Sequence, residues 1–262
     1  MLVGGISGLT WDPVDDLWYA LSDSPWRPRC YLLRFPGLRA QRSVDPAWER
    51  VLYLTESDGS KIHRVGFDVE GIALWHDPDS GQHRLLICSE GGIEYGVPPA
   101  VYVHDLDGTL LREFKIPPLL REVDTPERGP RFNLAFEGVA TTPDGRHAWV
   151  AMEGALQQDE STPQEYLQNA PRRITRFNVA TGIADRQVAY VPQPRLRAPV
   201  VPDLFQVNGI SDLLVAADDR LWVMERAFFP LLGFRVRIYE LELAGASDTL
   251  HVDTLVRGNH RP

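Results

Sequence analysis

The stretch NLAFEGVATTPDGRHAWVAMEG, Asn133 to Gly154, decides the fold. Its centre, Pro143-Asp144-Gly145, is a tight turn. Proline presets φ, aspartate supplies a side-chain acceptor and glycine tolerates positive φ. The flanks, Val139 to Thr141 and Ala148 to Met152, are short, nearly uncharged runs of strand character. In an antiparallel hairpin the start of the first strand lies beside the end of the second. Glu137, in Phe-Glu-Gly, and Glu153, in Met-Glu-Gly, are therefore expected as neighbours at the open end. Adjacent carboxylates repel, so a cation, a donor or a shared proton has to offset them.

The hairpin has three relatives: SGLTWDPVDDLWYALSD (7–23), EGIALWHDPDSGQHRLLICSEGG (70–92) and NGISDLLVAADDRLWVMER (208–226). Each opens with Gly beside a small polar or acidic residue, turns on Asp, Gly or Pro, and ends in an acid. Gly8, Gly71, Gly138 and Gly209 are 63, 67 and 71 residues apart. Between them lie strand pairs of another kind: AVYVHDLDGTLLREFKI turning at Asp107-Gly108, RRITRFNVATGIADRQVAYV at Thr181-Gly182, and FRVRIYELELAGASDTLHVDTLV at Gly245. Here apolar residues alternate with charged ones, as in half-exposed strands. Two buried strands followed by two amphipathic ones make the four-stranded antiparallel blade of an all-β propeller, inner pair first. The innermost strands are expected to carry Leu9, Ile72, Val139 and Leu213.

Four blades are visible in one domain, roughly 1–66, 67–132, 133–205 and 206–262. Four is the low end for a closed ring, so the ring is read as either tight or incomplete. An open or unusually tight ring is expected between the blade ending near Val256 and the blade containing Trp11, with exposed apolar strand edges there that invite aggregation or partner pairing. PQEYLQNA (163–170) has room for two helical turns within a loop, and VPQPRLRAPVVPDLF (191–205) reads as an extended connection.

Composition narrows the function. Of 262 residues 44% are hydrophobic, enough for a sizeable core, and 27 basic against 36 acidic residues leave a net charge of −9. That balance disfavours a nucleic-acid partner, which calls for a basic face. No apolar run reaches the ~20 residues of a membrane span. The start, MLVGGISGLTW, lacks the basic-apolar-small pattern of a signal peptide. Cys30 and Cys88, in CYLLRF and LLICSE, are buried thiols or one disulfide. The seven histidines show no close pair for zinc, and Gly-x-Ser-x-Gly is absent. DPDSG (77–81) reads as a turn and the terminal GNH (258–260) as chance.

Taken together, SGLTWDP, WYALSD, FDVEGIAL, NLAFEGVATTPDGRHAWVAMEGAL and GISDLLVAADDRLWVMER resemble the phytase-like family, described as having esterase-like activity of phytase. The resemblance runs from about residue 4 to about residue 245, in order. It implies a propeller, a hydrolase activity, and mostly bacterial, often exported proteins, so an extracellular or periplasmic location. The family typically closes with another Glu-Gly-type hairpin ending in SDD-like residues, whereas this chain reaches VRGNHRP without one.

If the four hairpins are equivalent, their open ends form a ring of acids at the channel mouth: Asp23, Glu70 with Glu90, Glu137 with Glu153, and Asp212 with Glu225. Calcium suits such an oxygen-rich site. Glu70, Glu137 and Asp212 are read as metal ligands, and Glu90, Glu153 and Glu225 as catalytic groups, each a further ligand or a general base. Arg226, Asn133 and Asn208 are read as substrate-binding residues, with Arg226 orienting a small anionic or ester substrate. The competing role for the acids is structural, accepting backbone N–H groups between blades. The competing function is a non-catalytic propeller that binds a protein, peptide or glycan. Trp18, Trp149 and Trp222 are expected to pack between blades. The polar loop 154–166 is a lid or a solvated connection.

Overall fold

The computed structural model describes residues 4–256, apart from 25, 37, 39–44, 64, 160–169, 194–206, 218, 219, 230 and 232. The turns expected at 163–170, most of the 191–205 connection, most of the 154–166 loop and the 258–260 tripeptide lie outside these residues. The described chain is all-β, with three single-turn 3₁₀ segments and no α-helix.

The decisive hairpin forms as its turn dictates. Asp144 Oδ1 accepts the Thr142 hydroxyl at 2.6 Å and the Arg146 N–H at 2.9 Å, and Gly145 takes φ +69°. Strands β1 (Ile6–Asp12), β2 (Leu17–Ser22), β3 (Arg29–Arg34) and β4 (Ala47–Tyr53) form the first antiparallel sheet. β5 (Val69–His76), β6 (His83–Ser89), β7 (Ala100–Asp105) and β8 (Leu110–Glu113) form the second. β9 (Phe136–Thr141), β10 (His147–Met152), β11 (Arg172–Asn178) and β12 (Ile183–Tyr190) form the third. The fourth pairs β13 (Val207–Ala217), β14 (Arg220–Phe229) and β15 (Gly233–Glu242). The sheets are the blades of a four-blade β-propeller. The inner strands follow one another as β1, β5, β9 and β13, each touching the next. Leu9, Ile72, Val139 and Leu213 lie on those four strands as expected.

One glycine per junction permits that approach. A Cβ on Gly8 would stand 2.9 Å from Glu70 O, one on Gly71 2.5 Å from Glu137 O, and one on Gly138 3.0 Å from the Asp212 backbone. Hydroxyls lace the same junctions. Leu74 N–H donates to Thr10 Oγ1 at 3.0 Å, and Thr141 Oγ1 donates to Leu74 O at 3.0 Å. Apolar side chains fill the space between blades. Leu21 and Leu32 meet Ile72 and Ile87 between blades one and two, and Trp149 and Ile174 meet Ile210 and Leu213 between three and four.

The β13–β1 junction has no comparable contact among the described residues. On its two sides Ile6 and Leu9 of β1, and Leu214, Trp222, Phe234, Val236 and Ile238 of blade four, are exposed. This corrects the expectation for the tryptophans. Trp149 is 1% exposed beneath blade four, whereas Trp222 is 43% exposed on the uncovered face of that blade. Trp18 is half-buried, stacked on Trp11. Both thiols are buried and unpaired.

A second correction concerns the hairpin expected at Gly245. After β15 the chain leaves its own blade and runs along blade three. Thr249 N–H donates to Gln187 O at 2.8 Å, and Gln187 N–H to Asp248 Oδ1 at 3.0 Å. The fully buried Arg173–Asp159 pair, 2.7 Å apart, anchors it. Arg173 donates to Val252 O at 2.9 Å, and Leu255 N–H donates to Asp159 Oδ1 at 2.7 Å. Bonds from Gln187 of β12, Arg173 of β11 and Asp159 hold 248–255 there.

Two outcomes follow from this packing. Gly71→Ala presses a methyl into Glu137 O and Cys88 Sγ, so denaturant unfolding should show a loss of about 2 kcal/mol, in the range of overpacked sites. Asp159→Ala strands Arg173 without its buried partner, and the same measurement should show a loss of about 3–5 kcal/mol. Unchanged midpoints would refute the corresponding account.

Candidate functional site

The site grows out of one backbone device. Each inner hairpin carries a register shift near its open end, and the residue left unpaired is Ser7, Glu70, Glu137 or Ser211. A bulge re-aims the extra side chain out of the ladder. The glycine that packs on the next blade follows at once in the first three hairpins, as Gly8, Gly71 and Gly138; in the fourth, Asp212 holds that place. Just beyond the paired ends Ser22, Ser89 and Met152 come Asp23, Glu90 and Glu153; the matching place in the fourth hairpin, after Glu225, is Arg226, where the ladder continues to Phe228. The fourth hairpin thus contributes an arginine where the second and third contribute glutamates. The Gly209 match in sequence is three residues out of structural register.

Two overlapping groups of carboxylates result. Asp68, Glu70 and Glu90 form one, and Glu90, Glu137 and Glu153 the other; within each, one oxygen per residue lies within 4.8 Å of the others. Glu90, Glu137 and Glu153 are buried, Asp68 and Glu70 half-buried. Arg226 Nη2 stands 3.6 Å from Glu137 and 3.7 Å from Glu153, with its side chain 42% exposed. Gly209 makes room here, since a Cβ on it would overlap Glu153 Cγ.

Burial dominates the electrostatics, because a low-dielectric site disfavours charge, and carboxylate neighbours add to it. Burial, then Asp68, Asp23 and Glu153, push Glu70 up to about 8, with Arg226 opposing. Burial with Asp23 and Glu94 pushes Asp68 up to about 6. Glu90 lies well above the usual carboxylate range, through burial and Glu70, although its bond from Ala135 N–H opposes the shift. Glu137 and Glu153 are both raised, first by burial, and are close enough to share a proton. Arg226 partly relieves both.

The other expected site residues divide. Asp212 belongs to neither carboxylate group; its Oδ1 accepts the Leu213 N–H at 2.8 Å, and burial raises it to about 6. Glu225 is 1% exposed and accepts from Tyr190 Oη at 2.5 Å, Gln193 N–H at 2.9 Å and Asn208 Nδ2 at 3.2 Å. Asn208 is buried and donates to Glu225 and to Gln193 O. Its carbonyl accepts from Arg172 at 3.0 Å. Glu225 and Asn208 therefore brace the β13–β14 end. Asn133, at φ +55°, lines a cavity of about 390 Å³ that reaches the acids at Asp68 and Glu90. Sequence reading passed over Asp68, although its place two residues before Glu70 in FDVEG puts both at the strand's entry. It also passed over the cavity's aromatic residues, which come from loops without a repeat to mark them.

A secreted fungal protein of Arthroderma benhamiae, described as uncharacterized, is 27% identical over 134 residues, covering 47% of this chain and 26% of its own length. The chain spans about a quarter of that relative. Among solved structures, the Dos1 propeller aligns over 86% of this chain and 44% of its own, at 9% identity and TM-score 0.44. The Cps50 (Swd1) propeller domain of Myceliophteria thermophila aligns over 90% and 59%, at 12% identity and TM-score 0.39. The phytase-like family model, described as esterase-like activity of phytase, matches residues 1–262, and the chain belongs to that family.

Proposed function

We propose that the protein is a calcium-assisted hydrolase of phosphate or carboxylic esters, working at the inner-strand ends where the acids gather. The observation that carries this reading is the convergence of Glu90, Glu137 and Glu153 within 4.8 Å in a buried site. Partly exposed Arg226 stands 3.6 Å from Glu137 and 3.7 Å from Glu153, and buried Arg172 also bears on Glu153, two cations beside three acids. The donor set fits the ion. Calcium takes six to eight hard oxygens, and three buried carboxylates, with Asp68 and Glu70 beside them, offer such oxygens where protons otherwise have to be held. Glu90, Glu137 and Glu153 would hold the ion, in place of the Glu70, Glu137 and Asp212 set. Bound there, calcium would polarise an ester or phosphoryl oxygen and lower the barrier to attack by water. Arg226 orients the anionic part of the substrate. Glu70, half-exposed and pushed up to about 8, takes the proton from the attacking water at a carboxylate oxygen and returns it to the alkoxide that departs as the ester C–O or P–O bond breaks. Export is part of the proposal, supported by the description of the fungal relative as secreted.

Three measurements test it. Calcium should raise the melting temperature, since a ligand bound only to the folded state at 100 times its Kd adds about 2.7 kcal/mol. Glu137→Gln should largely abolish that response, while Glu225→Gln should lower stability yet keep it. A calcium response without turnover of p-nitrophenyl acetate or p-nitrophenyl phosphate would support the binding-only propeller. No calcium response at all would end the metal reading.

The pH dependence has a definite sign. Glu70 and Asp68 bind protons more tightly folded than unfolded, so their contribution is fully present below the ordinary carboxylate range and is lost as pH rises through the folded values. The melting temperature of the calcium-free protein should therefore fall from about pH 5 to pH 8. Glu70→Gln should flatten that slope, and so should saturating calcium. An unchanged slope in Glu70→Gln would refute this assignment.

A further inference from the structure

We infer that the cavity beside the acids is a binding site for a small organic cation, an alkyl- or arylammonium group. Its wall is of two kinds. Trp26, Tyr95 and Phe132 are 89%, 66% and 62% exposed, and all three line the same cavity. Asp68, Glu90 and Glu94 line it too, and among its described lining residues there is no lysine or arginine. Glu90 is only 4% exposed, and among the described residues its side chain accepts from Ala135 N–H, at Oε1 and 2.8 Å. Its carboxylate lies within 4.8 Å of those of Asp68 and Glu70, and a positive charge in the cavity would offset their repulsion.

The combination discriminates among ligands. An anion would face three carboxylates, with His63 the one basic side chain among the described lining residues. A neutral apolar molecule would cover the aromatic residues but strip water from Asp68 and Glu90 without replacing it. A bare metal ion would satisfy the carboxylates and leave the aromatic rim unused. An organic ammonium uses both, with its charge at the acids and over the aromatic faces and its hydrocarbon against the rings. The proposal concerns the cavity and stands without calcium at the neighbouring group of acids.

Benzyltrimethylammonium is the probe, titrated calorimetrically into the full chain in EDTA, with benzyl alcohol and benzenesulfonate as neutral and anionic controls. EDTA keeps the outcome separate from that of the calcium measurements. The cation should bind about two- to fivefold tighter than the alcohol, as expected for exposed cation–π contacts, and the sulfonate should not bind. Trp26→Ala and Glu94→Gln, both at exposed positions, should each weaken the cation severalfold with an unchanged melting temperature. Equal binding of cation and alcohol, no binding of the cation, or full binding by both variants would overturn the proposal.

Discussion

The structure depends on how closely one inner strand approaches the next. At three junctions a glycine sits against the following blade's backbone, and there is no room for a methyl group. The residue just before that glycine cannot stay in the ladder, and in two blades it is a glutamate. Close packing and the display of an acid are therefore one local event, a bulge followed by a glycine. The fourth blade shows the converse. Asp212 stands where the glycine would be, on a face that meets no further inner strand among the described residues.

The acids would be costly without this frame. Carboxylates within 4.8 Å in a buried site cannot all be ionised. The protein answers with Arg226 at one side and raised proton affinity at the others. Glu225, one residue from Arg226, has the opposite fate: three donors surround it, and it works as a brace. Adjacent residues on one strand thus face different surroundings, and strand alternation separates the two roles.

The fold was legible because it is periodic. Turn residues, apolar runs and the Glu-Gly pairs recur in step, so the inner and most outer hairpins follow from the chain alone. The fourth blade's last strand was not legible. The residues after Gly245 alternate as a strand should, yet what holds them is a buried ion pair on another blade. The site was half legible. Glu70, Glu90, Glu137 and Glu153 share a motif, whereas Arg226 replaces Glu225 through a register shift that glycine spacing conceals. Trp26, Tyr95 and Phe132 meet only in three dimensions.

The latch on blade three bears on how the polypeptide acquires its structure as it is made. Asp159 and Arg173 bond directly to 252–255, and those residues leave the ribosome after the whole of blade four. Blade three must therefore wait, its charged pair still wet, while the next blade is synthesised. Translation proceeds at about 5–20 residues per second, so the remaining stretch of roughly 80 residues takes several seconds. The contacts that complete the third blade are thus available only once the fourth has been made.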